Sequence, residues 1–420
     1  DNMLVYASMK KAEERVHAML RDYGKDAVLA AGEEILRRTE EAVRMAISAW
    51  PAGTYKAERA ADWDGTIDKP VWVRLALTVN PEDGQLVLDF SDSDSQVDFI
   101  NVPLGQVWAS VVVAVAWALP PGTPRNQGLF NCLKVITKEG SVLDPVYPAT
   151  SGAQAAMLGV QVTECVQLAL GQIVPQEASA LWGRPLNPAY YGYRRDRIDP
   201  RTKRHRVYRI GTSHSHPSMG AIHGFDGTDG LGGTVTVGGA VIRAPVEVEE
   251  WDAPYQWLQY EFLTDSAGAG QWRGGLGTRV AYRNTTDRNS WRPLDDVVQT
   301  GNSDGERFGA LGLMGGSDGP QNRMWIERKG EHVRLRTVDV QYLQPGDLII
   351  TNSGGGGGVG DPLFRDVAKV LGDVLNEYVS IDSARTIYGV VIDRGTFLVD
   401  SEATAQLRNL LRGGESRSRA

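Results

Sequence analysis

Apolar residues fall at helical spacing from the start of the chain. Val16, Met19, Leu20 and Tyr23 share one stripe, and Gly24 is a natural stop. Asp26 can cap a second helix whose apolar face carries Leu29, Leu36, Val43, Ile47 and Trp50, and Pro51 ends it. Residues 1–50 therefore read as a helical pair. The period then changes to two. Val71, Val73, Leu75, Leu77 and Val79 alternate onto one face, Pro81-Glu82-Asp83-Gly84 makes a turn, and Leu86, Leu88 and Phe90 alternate on the return strand. An antiparallel hairpin is expected there. The apolar run Val107 to Leu119 reads as a buried helix, followed by a strand around Leu133 to Thr137 and a helix from about Gly152 to Ile173.

After about residue 180 the helical period fades, and Gly, Pro and Trp become frequent. Val235 to Val237, Val246 to Val248, Gln256 to Leu263, Thr278 to Tyr282, Met324 to Glu327 and Leu348 to Thr351 are strand candidates. The tail returns to helix, with Asp366, Ser380 and Asp400 as caps. The expected fold class is α+β. A helix pair and α/β domain covers residues 1–180, a mostly-β glycine-rich domain 181–365, and a C-terminal helical segment 366–420.

Composition narrows the partners. A formal charge of −8 argues against nucleic acid or an anionic membrane as the main partner. The longest apolar run is too short to span a bilayer. Cys132 and Cys165 have no paired spacing and suggest a reducing, cytoplasmic compartment.

Four stretches could carry chemistry. The densest is residues 213–230, where His214 and His216 share a strand face and His223, Asp226 and Asp229 follow. It could supply metal ligands or catalytic groups, or form a glycine-rich loop of Asp-Gly turns. The run Gly354-Gly355-Gly356-Gly357-Gly358 stands between a strand signal and the helix-starting Asp361-Pro362. That setting argues against a linker. It leaves either a tightly packed loop or backbone N–H groups facing an anion. No Lys-Ser or Lys-Thr follows, so it is not a P-loop. Asp89, Asp92, Asp94 and Asp98 lack the Gly and Glu of a calcium loop, since Val97 and Pro103 stand at those positions. The basic stretch from Arg194 to Arg209, interleaved with tyrosines, reads as a solvated hairpin or a contact to an acidic partner subunit.

Several motifs, taken in order, resemble the hydantoinase B/5-oxoprolinase family. They are Leu88-Asp89-Phe90-Ser91 with Gln96-Val97, Pro124-Arg125-Asn126-Gln127-Gly128, Gly268 to Gly277, and the ending from Gly354 through Leu363 to Val391. The resemblance covers most of the chain. It implies the B-type subunit of a heteromeric ATP-dependent amidohydrolase, with an A-type partner that binds ATP and phosphorylates a cyclic amide. On that picture His214, His216, His223, Asp226 and Asp229 are the catalytic candidates. Asn126 and Gly354, Gly355, Gly356 and Gly357 would contact the small-molecule substrate. Family members carry a further N-terminal region that binds a divalent metal, so the metal is expected outside this chain. They also follow Asp-Gly-x-Asp-Gly with His-x-His, whereas Leu231-Gly232-Gly233-Thr234 follows here. That departure gives weight to two alternatives: a subunit of an acetone/acetophenone-type ketone carboxylase, and a non-catalytic scaffold subunit.

Overall fold

The computed structural model of the protein describes residues 2–418 apart from 153, 212–216, 232–243, 288, 290–295 and 301–302. The chain divides into two compact units, one of residues 1–54, 77–88 and 119–135, the other of residues 55–76, 89–118 and 136–420. The first elements in chain order are α1 (Asn2–Tyr23), α2 (Lys25–Ser48), β1 (Gly53–Ala61), β2 (Val71–Asn80), β3 (Gln85–Asp89), α3 (Leu104–Ala118), α4 (Gln127–Phe130), β4 (Leu133–Ile136) and α5 (Leu158–Ile173). Strands β1 to β4 form one sheet in chain order.

The helical pair and the hairpin form where the patterns predict them. Gly24, at φ 80, separates α1 from α2, and α2 begins one residue before Asp26 without a side-chain cap. Val71, Val73, Leu75, Leu77 and Val79 are all buried, and Gly84 closes the β2–β3 turn at φ 55. Strand β1 escapes the sequence pattern because Gly-Thr-Tyr-Lys-Ala-Glu-Arg-Ala-Ala has no apolar alternation. In the first unit, Asn126 caps α4 by accepting from the Gly128 N–H, and donates to Thr39 Oγ1 of α2, both at 2.9 Å. A Cβ on Gly128 would overlap Leu36 O and lie 2.9 Å from Glu40 N, so α4 sits on α2 only because that position is glycine. Asn126 is thus committed to local structure.

The second unit holds α3 packed on α5, and beyond them β5 (Ala189–Ile198), β6 (His205–Gly211), α6 (Val246–Asp252), β7 (Tyr255–Phe262), β8 (Thr278–Asn284), β9 (Val297–Gln299), β10 (Arg323–Arg328), β11 (Glu331–Arg334), β12 (Val340–Tyr342) and β13 (Leu348–Asn352). One sheet has the order β11-β10-β13-β8-β7 and another β12-β9-β5-β6. Their inner faces share a core of Tyr190, Tyr208 and Val298 from one, and Tyr255, Val280, Tyr282, Met324, Ile326 and Ile349 from the other. Tyr190 lies 5.2 and 5.4 Å from the rings of Tyr255 and Tyr282, the tilted geometry aromatic quadrupoles prefer.

Val246 to Val248, expected as a strand, is the first turn of α6. Pro245 sets the entry at φ −56, and Glu247 and Glu249 complement the helix dipole. The expected strand Val235 to Val237 lies outside the described residues. The tail forms α7 (Val367–Leu375), α8 (Ile381–Thr386) and α9 (Ser401–Ser418). Asp366, Ser380 and Asp400 each accept from an N–H of the first turn, as their positions predict. No described helix is long and apolar enough to cross a membrane.

Candidate functional site

Strand β13 delivers the chain into Ser353 and the five glycines, all of them buried. Successive N–H groups find different neighbours. Gly354 donates to Asn322 Oδ1 (2.7 Å), Gly355 to Ser266 O (2.8 Å), and Gly356, Gly357 and Gly358 to Gly275 O, Leu181 O and Ser317 O (2.9 Å each). The carbonyls of Gly356, Gly357 and Gly358 accept from Gly268, Ala221 and Leu313. Several backbone segments therefore converge on one strand that has no side chains. A Cβ on any of Gly354 to Gly358 would overlap a main-chain oxygen, of Pro320, Gly275, Met219, Leu311 and Ala269 in turn. Glycine at the axis of a collagen helix meets the same crowding. The run is a buried packing hub, the tightly packed loop among the two readings of the sequence, because all five N–H donors are spent inside the protein.

Two of the predicted acidic residues tie a turn to this hub. Asp226 Oδ1 accepts from Arg273 N (2.8 Å) and Arg365 Nη1 (2.7 Å), and its Oδ2 accepts from Arg365 Nη2 (3.0 Å). This fork-on-carboxylate geometry is the strong form of an ion pair. Arg365 is almost wholly buried and also donates through Nε to Asp373 Oδ2 at 2.9 Å. Asp229 Oδ1 accepts from Leu276 N at 2.6 Å and lies 3.4 Å from Arg273 Nη1. Burial pushes the Asp226 carboxyl up, but the hydrogen bonds and charge of Arg365 outweigh it and hold it below the usual carboxylate range. At Asp373 burial wins, and the carboxyl is raised despite Arg365 and Arg273.

A depressed folded pKa stabilises the protein above the unfolded value and ceases to do so as pH falls through the folded one. Asp226→Asn is therefore expected to cost about 1–3 kcal/mol near neutral pH. The gap between variant and wild type should narrow as pH falls below the usual carboxylate range and through the lowered folded value of Asp226. Urea unfolding at neutral and at acidic pH measures it, and a gap independent of pH would refute the assignment.

The remaining candidates divide. His223 is exposed, and its ring packs on Trp272 with centroids 4.4 Å apart. Trp272 pairs with Val359 just past the glycine run, so His223 stands at the edge of the hub. An imidazole there can accept or donate a proton. His214 and His216 lie outside the described residues. Asn126 belongs to the α4 cap. Among the described residues no group of three or more His, Cys, Asp or Glu side chains is placed to hold a metal ion.

A second charged cluster has no counterpart among the sequence motifs. Arg184, on the segment after α5, donates through Nη1 to Asp304 Oδ2 and through Nη2 to Glu164 Oε2 (2.6 Å). Arg59 Nε reaches the same Glu164 oxygen at 2.9 Å, and Gln161 Nε2 donates to Asp304 Oδ2. Asp304 Oδ1 accepts the Asp62 N–H at 2.9 Å, while the Asp62 carboxylate accepts from the N–H groups of Glu306 (2.7 Å) and Arg307 (2.9 Å). All five charged side chains of this cluster are buried. Burial, then the Asp62 carboxylate, raise the pKa of Asp304, and Arg184 opposes them. Gln161, Glu164 and Gln167 recur every third residue along a helix otherwise read as apolar, and that polar row was the available signal.

Known proteins share this architecture. The Hydantoinase B/oxoprolinase family model matches residues 2–362. A provisionally named D-/L-hydantoinase B-type subunit of Pseudomonas sp. (strain NS671) is 28% identical over 419 residues, covering 96% of this chain and 66% of its own length. The caprolactamase beta chain of Pseudomonas jessenii is 28% identical over 407 residues, covering 95% of this chain and 67% of its own length. The chain thus spans about two thirds of the length of these curated relatives. The crystal structure of ATP-dependent caprolactamase from Pseudomonas jessenii superposes with a TM-score of 0.79 at 26% identity, over 96% of this chain and 68% of that one. Nucleotide-free acetone carboxylase, at 18% identity and a TM-score of 0.79 over 96% of this chain and 58% of its own, shares the fold. With a family model matched over residues 2–362 and the same fold in these structures, the chain belongs to the Hydantoinase B/oxoprolinase family.

Proposed function

We propose that this chain is the B-type subunit of a heteromeric ATP-dependent amidohydrolase that resolves a phosphorylated cyclic amide. The carrying observation is the family match together with two relatives, a hydantoinase B-type subunit and a caprolactamase beta chain, each aligned over at least 95% of this chain. Hydantoin and caprolactam are both cyclic amides, whose carbonyl carbon is a poor electrophile because of amide resonance. Phosphorylation of the carbonyl oxygen by ATP, on an A-type companion subunit, removes that protection. Water then adds to the activated carbon, and the ring nitrogen leaves with a proton. A second water hydrolyses the resulting acyl phosphate to the open-chain acid and phosphate.

His223, exposed beside Trp272, is the described candidate for exchanging protons with the attacking water and the leaving nitrogen. Asp226 and Asp229, held by Arg365, Arg273 and the Leu276 N–H, would fix the turn that carries it. His214 and His216 complete the proposed set from the neighbouring segment of sequence.

The purified complex of this chain with its ATP-binding companion is expected to convert hydantoin, 5-oxoproline or caprolactam. Phosphate and ring-opened acid should appear together, and neither partner alone should suffice. Ring opening without ATP, or no turnover of any of the three by an intact complex, would overturn the proposal. A β-keto acid formed from acetone or acetophenone with bicarbonate would replace it with the carboxylase reading.

A further inference from the structure

In a chain of net charge −8, residues 193–209 carry eight basic side chains against two acidic ones. They form the β5–β6 hairpin, paired antiparallel with Tyr193 opposite Val207 and Ile198 opposite His205. Its tip is rigid. Asp199 Oδ1 accepts the N–H groups of Arg201 (2.7 Å) and Thr202 (2.9 Å), and Lys203 N donates to Asp199 O at 2.9 Å with Lys203 in the left-handed region at φ 55. Arg201, Lys203 and Arg204 are all exposed and form no salt bridge among the described residues, although the charge of Arg201 acts on the Asp199 carboxylate beside it. Other cations of the hairpin are occupied: Arg194 by Asp196, and Arg206 by Asp252.

Apolar surface lies beside these exposed charges. Ile198, Val207 and Trp251 are each more than half exposed. Trp251 is tied to the hairpin by Arg194, which donates to its carbonyl at 2.7 Å, and by Arg197, whose guanidinium covers its ring at 4.2 Å. A mostly polar groove of about 710 Å³ opens between Tyr193, Asp199, Thr202, Arg204, His205, Arg206 and Val207. Arginines and an exposed tryptophan beside a concave surface are the composition of a protein–protein contact.

We infer that the β5–β6 hairpin tip docks an acidic protein surface, with Arg201, Lys203 and Arg204 meeting its carboxylates and Ile198, Val207 and Trp251 supplying the apolar contact. Charge complementarity points to the occupant: three exposed cations outside any salt bridge, clustered on an otherwise acidic molecule, select a partner of opposite sign. A nucleic acid fits less well. The chain as a whole repels polyanions, and Arg197 already covers the exposed tryptophan on which a base would stack. The inference rests on the heteromeric reading above and names the ATP-binding companion as the acidic partner.

The test measures binding of the companion to the full chain and to the triple variant Arg201→Glu/Lys203→Glu/Arg204→Glu. The Kd should rise at least roughly 100-fold at about 50 mM salt, and the difference should shrink at about 300 mM as the charges are screened. Trp251→Ala should weaken binding about tenfold with little salt dependence. Unchanged circular dichroism and melting temperature show that the variants fold. Equal Kd values for wild type and triple variant would overturn the inference while leaving the heteromeric reading intact. Failure of the wild-type chain to bind the companion overturns both. Binding of labelled polyuridine that the triple variant loses, with companion affinity unchanged, would assign the hairpin to nucleic acid instead.

Discussion

Gly356→Ala is expected to destabilise the protein severely, at a cost at or above the upper end of the roughly 1–3 kcal/mol typical of overpacking. The added methyl would overlap Met219 O and lie about 2.6 Å from Gly220 N. Met219 O already accepts from Gly275 N, and Gly275 O accepts from Gly356 N, each at 2.9 Å. The methyl therefore meets main chain that neighbouring hydrogen bonds hold in place, and no rotamer change relieves it. Gly372→Ala is the control. Gly372 lies inside α7 with nothing within 4 Å of a built Cβ, so alanine there should raise stability by up to about 1 kcal/mol. Solubility, near-ultraviolet circular dichroism and urea midpoints of the two variants separate crowding from a general glycine effect. A Gly356→Ala protein with the wild-type midpoint would show that the hub tolerates a side chain, and its account as a packing centre would fail.

The hub also shows what local sequence can and cannot convey. The run announced that something special happens at residues 354–358, and its strand and helix flanks argued that the backbone is held. What holds it comes from segments near 181, 221, 266–275 and 313–317, and no window of sequence places these beside it. The alternating strands β2 and β3 and the caps Asp366, Ser380 and Asp400 were legible because their determinants sit within a few residues of one another. Strand β1 was not, since Lys56, Glu58 and Arg59 break its pattern. The same limit applies to charge. Asp226 stood out in an Asp-Gly motif, yet its partner Arg365 is 139 residues away. Given that partner, Asp226 reads as a positioning group, and His223 is left as the exposed candidate among the described residues. Likewise Asn126 looked like a substrate contact until Thr39, 87 residues distant, took its amide.

Arg184→Met carries the second large effect. Arg184 is about 2% exposed and bridges two carboxylates, Glu164 and Asp304, across separations of 20 and 120 residues. Removing one member of such a buried set strands the others, and about 3–5 kcal/mol is the expected loss. Glu164 keeps Arg59, so the larger penalty falls on Asp304, which is left with Gln161 and the Asp62 N–H beside the Asp62 carboxylate. The sign of the pH dependence follows. Burial and Asp62 already hold the Asp304 pKa above its unfolded value, and Arg184 is the main opposing charge. Without it the native state binds a proton over a wider range than the unfolded chain does, and stability falls as pH rises through that range. The loss in Arg184→Met should therefore be largest near pH 8 and shrink toward about pH 5, where Asp304 can stay neutral. Adding Asp304→Asn removes the stranded charge and should restore part of the loss, so a double-mutant cycle would give a favourable coupling of roughly 1–3 kcal/mol. Urea unfolding of the two single variants and the double variant at both pH values supplies every term. Additive losses with no pH dependence would mean that Asp304 is not the carboxylate Arg184 sustains, and that Glu164 carries the interaction alone.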